Sequence, residues 1–294
     1  MTPSAARWPL APDVIADAYV AACRLEVRTL KPGNVHIHAG GHGMTVEDFE
    51  RSAMASAPYI ADPQMFVGEK IRAAVATTLE AVGTNTNLGI ILLSAPLAAA
   101  AGPRARGDSL PERLTHILET LDHRDSREAF RAIAQAKPAG LGAAATGDVT
   151  SEPPPHLNLL EAMRLAADRD LIAAQYAHTY RDVFRLTEAF ERERTAGLTA
   201  EAALAKVFLT EMAAQPDTHV ARKYGRPVAE NLRARAQARL ERLGDLRDPY
   251  RLDIFSDLIA FDAELKAEGL NPGALADLMA AAAFAARLRQ SGGG

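Results

Sequence analysis

An all-α fold, a single-domain multi-helix bundle, is what this sequence predicts, on three observations. Ala, Leu, Arg and Glu dominate most of the chain, and these are residues that lose little on entering a helix. Apolar residues recur at three- and four-residue spacing, with little of the alternation that strands need. With 294 residues and 48% apolar content, the chain can bury a large core, and no convincing boundary divides it.

The elements follow in order. Val14, Ile15, Ala18, Tyr19, Ala22 and Leu25 mark one face of a first helix that ends near the Lys31-Pro32-Gly33 turn. His36 to Gly43 then forms a loop. Thr45-Val46-Glu47-Asp48 has the form of a capping box, Thr45 closing the helix end and Asp48 reaching back, and it opens a second helix through Phe49, Ala53 and Met54. Further helices are expected near 67–82, 87–101, 110–122 and 126–136. A Gly-, Thr- and Pro-rich stretch from Lys137 to Pro155 reads as an ordered loop. Beyond it the pattern predicts helices near 158–192, with a break near Asp170, and at 199–213, 226–243, 251–267 and 272–289. Residues 1–12 are taken as an extension, 13–290 as the helical domain and 291–294 as a frayed tail.

Charge and composition limit the partners. The net charge is −4, from 33 basic and 37 acidic residues without a long run of one sign, which disfavours nucleic acid. No apolar run reaches the roughly 18 to 20 residues of a membrane span, and the segment from Arg7 to Pro12 lacks the apolar core of a signal peptide, so no membrane role and a cytoplasmic location are expected. The single cysteine, Cys23, lies in an apolar helical stretch and reads as a buried structural thiol. Small-molecule substrates are the expected partners, and a homodimer is compatible with the composition.

Four polar clusters interrupt the apolar pattern. In the second, Gly83 to Gly89, Asn87 stands where an N-cap belongs and Gly89 removes a side chain from the first helical turn. Free N–H groups there suit an anion, and Thr84, Asn85 and Thr86 add donors; a plain capped turn is the other reading. Asn271-Pro272-Gly273 repeats the arrangement, a cap residue, a proline at the first helical position and a glycine that lets a ligand approach the backbone. Asp277 follows on a strongly apolar helix, so its charge calls for a metal ion or an arginine unless it is simply exposed. Asp217, Thr218, His219, Arg222 and Lys223 place an acid, a hydroxyl, an imidazole and two cations within seven residues, which suits a magnesium polyphosphate. In the remaining cluster, Glu26 stands on the apolar side of the first helix shortly before Lys31. A partly buried Glu there is a metal-ligand or general-base candidate, and a salt bridge to Arg28 or Lys31 is the alternative.

Other signals are weaker. His36, His38 and His42 share a glycine-rich loop without the cysteines or the helical His-Glu spacing of zinc sites, and their role stays open. His116, His123, His156 and His178 stand alone and read as structural or solvent-facing. No Walker A loop, dinucleotide fingerprint, nucleophile elbow or Cys-x-x-Cys is present.

Taken in order, the segments Glu26 through Lys31-Pro32-Gly33, Asn85-Thr86-Asn87-x-Gly89, Asp217-Thr218 with Arg222-Lys223-x-Gly225, and Asn271-Pro272-Gly273 through Asp277-Leu278 resemble the triphosphoribosyl-dephospho-CoA synthase family over roughly residues 15–288. The resemblance implies an all-helical, magnesium-dependent transferase. It would move the 5-triphosphoribosyl unit of ATP onto a ribose hydroxyl of dephospho-CoA, releasing adenine. It further implies phosphate-binding roles for Lys31, Asn85, Thr86, Asn87, His219, Arg222, Lys223, Asn271 and Gly273, and magnesium, base or charge-stabilising roles for Glu26, Asp217 and Asp277. Asn87 where members carry His, and the stretch Ala167-Asp168-Arg169-Asp170-Leu171 in the middle of the chain, mark a divergent branch. Two alternatives stay open: a kinase- or ligase-type enzyme of methanopterin- or methanofuran-type coenzyme synthesis, and a non-catalytic nucleotide-binding helical protein.

Overall fold

The structure, a computed structural model, describes residues 8–138, 154, 157–244 and 246–293. Most of the Lys137–Pro155 stretch, and His156, lie outside the described residues.

Fourteen helices and no strand are found among the described residues. The first half holds α1 (Pro12–Arg28), α2 (Val46–Ala61), α3 (Val67–Val82), α4 (Leu88–Ala101), α5 (Leu110–Thr120) and α6 (His123–Ala136). The second half holds α7 (Leu159–Ala166), α8 (Leu171–Ala177), α9 (Arg181–Thr195), α10 (Ala200–Ala214), α11 (Thr218–Tyr224), α12 (Arg226–Leu243), α13 (Leu252–Ala267) and α14 (Gly273–Gly292). The capping box at Thr45 and Asp48 forms as expected, with both reciprocal bonds in place.

Two helices are apolar on every side, and such helices belong at the centre of a bundle. α14 is Ala-, Leu- and Phe-rich and buried along nearly its whole length, and α4, with the run Ile90 to Leu93, is its central neighbour. Around this pair pack α1, α5, α8, α9, α10 and α11; α2 and α3 cover α1 and α4. Small side chains allow the close approach. Gly68 on α3 sits so near α6 that a Cβ there would stand 2.6 Å from the Asp125 carbonyl, and Asp125 Oδ1 accepts from the Gly68 N–H at 2.7 Å.

Three differences from the sequence expectation have physical causes. The 158–192 stretch breaks at Asp170 as expected, and also at Thr179 and Tyr180, both at positive φ. The reason lies in α4. Pro96 has no N–H, so the Leu92 carbonyl one turn earlier lacks its helical partner. Tyr176 donates its hydroxyl to that carbonyl at 2.6 Å and Tyr180 donates to Leu93 at 3.2 Å, and the chain bends so that both rings are buried. Next, the 217–224 cluster is a short helix, α11, capped by Asp217. Finally, residues 291–292 are not a tail: α14 continues through Gly292, which is buried against Trp8, so close that a Cβ would stand 2.6 Å from Trp8 Cε2. Of residues 8–12, Leu10 is likewise packed, its N–H bonded to the Ala101 carbonyl. No described helix is long and apolar enough to cross a membrane.

The turn after α1 meets the far end of the chain. Leu30 N donates to Tyr250 Oη at 2.9 Å, Gly33 N to Asp262 Oδ1 at 2.8 Å, and Asn34 Nδ2 to Asn271 Oδ1 at 2.8 Å. Gly33 is required there, because its φ is +86° and a Cβ would strike the Leu270 carbonyl at 2.9 Å. Against this turn packs α13, and α12 is tied to α13 by Arg235 on Glu264 and Glu268, Arg239 and Arg242 on Asp257, and both Arg235 and Arg239 over the Phe261 ring.

Candidate active site

One cavity of about 1070 Å³ opens where α1, α4, α8, α11 and α14 converge, and α6 and α7 supply its far wall. The sequence-selected residues Glu26, Asn85, Thr86, His219, Arg222, Asn271, Gly273 and Asp277 all line it. Lys31, Asn87, Asp217 and Lys223 do not.

The floor is acidic. Glu26 projects from the apolar face of α1, is 2% exposed, and sets Oε1 3.0 Å from Lys31 Nζ. Its other oxygen, Oε2, is buried without a hydrogen-bond partner among the described residues. Burial raises the Glu26 pKa, and Lys31 opposes the rise. Opposite it, Asp277 is half-buried and accepts no hydrogen bond among the described residues. Burial holds its carboxyl well above the usual range, reinforced by the charges of Glu26, Asp217 and Asp170, with Arg222 opposing. Against the first turn of α4, Asp277 fills the space that Gly89 leaves: a Cβ at residue 89 would stand 2.6 Å from Asp277 Cγ and closer still to Oδ2. The glycine therefore makes room for a carboxylate of the protein, where the sequence suggested room for a ligand.

Asp170, which the sequence marked only as a helix break, stands on the cavity wall. Its Oδ1 accepts from the N–H groups of Ile172 and Ala173, capping α8, while Oδ2 pairs with Arg222 Nη1 at 2.9 Å. Thr218 Oγ1 accepts from Leu171 N at 3.0 Å, so α8 and α11 are joined at the cavity. The signal for Asp170 was its place as a cap residue before an apolar run. Nothing in the pattern showed that its second oxygen would reach Arg222. Asn34, Arg169 and Arg226 line the cavity too and were likewise missed.

Five expectations are corrected by position. Lys31, assigned to phosphate, is fully buried and donates to the carbonyls of Glu26, at 2.8 Å, and Val35, at 2.8 Å; burial lowers its pKa and Glu26 opposes. It holds Glu26. Asp217, assigned to metal or base, is 2% exposed and uses both oxygens inside the fold, accepting from Val220 N at 2.9 Å and Leu275 N at 2.8 Å. It therefore caps α11 and α14 together, although burial still raises its pKa to about 6. Asn87 is buried behind the wall and its side chain does not cap α4; Asn85 accepts the Leu88 N–H at 3.1 Å in its place. Lys223 is exposed, with its ammonium 5.0 Å above the Tyr224 ring. Asn271 does not cap α14 either, since that helix starts at Gly273 and Asp217 reaches its first turn.

Of the remaining groups, Thr86 Oγ1 bonds Ser52 Oγ at 2.7 Å, and His219 lies beside Gly273 with its pKa lowered to about 4 by burial and then by Arg222 and Lys223. Of the three loop histidines, His36 and His38 lie side by side, with ring centroids 5.7 Å apart, and each ring is engaged elsewhere. His36 Nε2 is 3.2 Å from Asp262 Oδ1, His42 Nε2 is 2.8 Å from the Gly33 carbonyl, and His38 packs on Phe255 and Tyr250. Among the described residues no three His, Cys, Asp or Glu side chains come together tightly enough to hold a metal by themselves. Cys23 is buried and free.

What this arrangement can do is set by its charges: a floor of poorly neutralised carboxylates, an arginine held by one of them, and amide and hydroxyl groups around. A polyphosphate arriving with a divalent cation would complement both signs, the cation suiting the carboxylates and the phosphate oxygens suiting the arginine, amide and hydroxyl groups. A crystal structure from Archaeoglobus fulgidus assigned as a triphosphoribosyl-dephospho-CoA synthase superposes with a TM-score of 0.60 at 22% identity, over 80% of this chain and 96% of that one, a likeness of fold. No curated protein matches the chain. The sequence profile of the ATP:dephospho-CoA triphosphoribosyl transferases matches residues 12–294, and with nearly the whole chain inside that match, the chain belongs to the ATP:dephospho-CoA triphosphoribosyl transferase family.

Proposed function

We propose that the cavity carries out the family's transfer, moving the triphosphoribosyl unit of ATP to a hydroxyl of dephospho-CoA with release of adenine. The observation that carries this is the pair Glu26 and Asp277, a buried and a half-buried carboxylate lining one large cavity: Glu26 Oε2 meets no donor among the described residues, and desolvation with the neighbouring carboxylates holds the Asp277 pKa well above its usual range. The C1′–N9 bond of ATP breaks with its electron pair leaving on adenine, and the acceptor oxygen forms the new bond to C1′. The acceptor's proton is removed, and adenine gains one. Negative groups around the ribose favour the positive charge that develops on it.

The two carboxylates suit different tasks. Glu26 keeps a cation beside one oxygen, which preserves its charge and fixes its direction, so Oε2 is the base that takes the hydroxyl proton. Asp277 has no such partner and lies among like charges, which is where a cation gains most. The donor set fits magnesium, which takes one or two carboxylates and completes its shell with phosphate oxygens and water. Asp277 would hold it, and when bound it neutralises the triphosphate against the acidic floor. Arg222, Asn85 and Thr86 hold phosphate oxygens, and His219 with Gly273 and Asn271 shapes the wall beside them.

The test is incubation of the purified protein with magnesium and ATP, with and without dephospho-CoA, reading adenine, ADP and AMP by chromatography. Adenine formed only with the acceptor supports the reading. ADP or AMP would replace it with kinase or ligase chemistry, and tight ATP binding without any product would remove the acceptor from it.

A further inference from the structure

We propose that Arg169 and Arg226, with the apolar wall made by Phe130, Ile133, Met163 and Leu165, form the acceptor half of the cavity and take a ligand that carries a diphosphate next to an apolar arm. This rests on the reading that the cavity performs the family's transfer.

The cavity's size calls for two occupants. At about 1070 Å³ it exceeds the usual range for a single small ligand, roughly 300 to 1,000 Å³. Its two ends differ in chemistry. At the floor, Glu26, Asp170 and Asp277 repel any anion that arrives without a cation, and Arg222 is engaged by Asp170 at 2.9 Å. A metal-bound triphosphate belongs there, whereas a diphosphate with no bound cation does not.

The other cations on the wall are placed for it. Arg169 adjoins Asp170 in sequence, Arg226 opens α12 four residues after Arg222, and both line the cavity that the Asp170–Arg222 ion pair also lines. Both are exposed. Arg169 is steadied by donating to the Leu165 carbonyl at 3.1 Å, which ties it to α7, and Arg226 approaches Glu230 only to 3.9 Å, leaving its guanidinium for a ligand. Beyond Arg169 the lining turns apolar: Phe130 and Ile133 are one helical turn apart on α6, and Met163 and Leu165 face the same space from α7. Leu165 is 47% exposed and forms the rim of this wall. Neither the ribose nor the triphosphate uses an apolar wall, and adenine, although it stacks on apolar side chains and guanidinium planes, carries no negative charge to pair with Arg169 and Arg226. A nucleoside diphosphate with a long, weakly polar arm, such as dephospho-CoA, uses the arginines and the wall at once.

The experiment is calorimetric binding on the full chain, with dephospho-CoA in the absence of ATP and with magnesium-ATP in the absence of acceptor. Arg169→Ala and Arg226→Ala should each weaken dephospho-CoA about tenfold, the scale of a charge-assisted contact, while magnesium-ATP changes less than about twofold. Ile133→Asp should weaken dephospho-CoA by a similar factor; if it melts early, Leu165→Asp on the exposed rim replaces it. Equal weakening of both ligands would overturn the proposal by assigning the arginines to the triphosphate. Normal dephospho-CoA binding in all the variants would overturn it by placing the acceptor elsewhere. A wild-type protein that does not bind dephospho-CoA would overturn it as well, and whether the transfer reading survives is then read separately from adenine release.

Discussion

Gly89→Ala tests the floor of the cavity with one methyl group. The new Cβ would stand 2.6 Å from Asp277 Cγ and closer still to Oδ2, and ordinary contact begins near 3.4 Å, so the carboxylate must retreat by at least about 0.8 Å. Metal-ligand distances tolerate only about 0.2 Å. Because Asp277 borders open space, its side chain can turn into the cavity instead of straining the helices, and alanine adds up to about 1 kcal/mol of helix preference over glycine. Overpacking in a rigid core would instead cost about 1 to 3 kcal/mol. The expected result is a melting temperature within about 3 °C of wild type, together with at least a tenfold loss of magnesium-dependent ATP affinity by calorimetry. Unchanged affinity would refute the argument that Asp277 must occupy the space beside α4. A large drop in melting temperature would refute the argument that the carboxylate is free to move.

Four further outcomes follow from the same geometry. Glu26→Gln should slow adenine release by about 10² to 10⁴-fold, the usual worth of a positioned base, with magnesium-ATP affinity within about threefold of wild type in the same calorimetric assay. Lys31→Met strands the buried Glu26 charge and should cost about 3 to 5 kcal/mol in urea denaturation, with the Lys31→Met/Glu26→Gln double variant recovering much of it; an additive double variant would deny the coupling. Tyr176→Phe leaves the Leu92 carbonyl unsatisfied below Pro96 and should cost about 1 to 3 kcal/mol by thermal unfolding. His36 is buried with its pKa lowered from 6.5 to about 4, so the unfolded chain takes up a proton first: its contribution is whole above pH 6.5 and declines as pH falls toward 4, by about 3 kcal/mol in all. Denaturation curves of His36→Gln should be flatter than wild type across that window, and equal slopes would remove His36 as the source.

The helical architecture was legible because helices leave a periodic mark, and the capping box at Thr45 and Asp48 formed where the pattern put it. The cavity was legible in part for a related reason: Glu26 and Asp277 are charges on apolar helical faces, an inconsistency that calls for a partner. Other features were not, because they depend on contacts between distant segments. Nothing near Lys31 says that its ammonium turns inward to Glu26, and nothing near Asp217 says that it also caps a helix that begins 56 residues later, at Gly273. The break at Thr179 and Tyr180 was hidden for the same reason, since it answers a proline on α4. Local pattern finds the residues with unmet needs; which group meets each need is decided across the chain.

The turn after α1 bonds to Tyr250, Asp262 and Asn271, partners 220 to 237 residues away, and the Lys266 ammonium reaches back to the Ala39 carbonyl. A ribosome makes the first of these groups long before the second. While the chain is being synthesised, Glu26 and its lysine exist without the wall that contains Asp277, and an incomplete chain therefore has no cavity floor. Contacts this far apart in sequence are slow to close and lost together when the chain is shortened. The cavity floor is thus completed only once α14 has emerged, all at once.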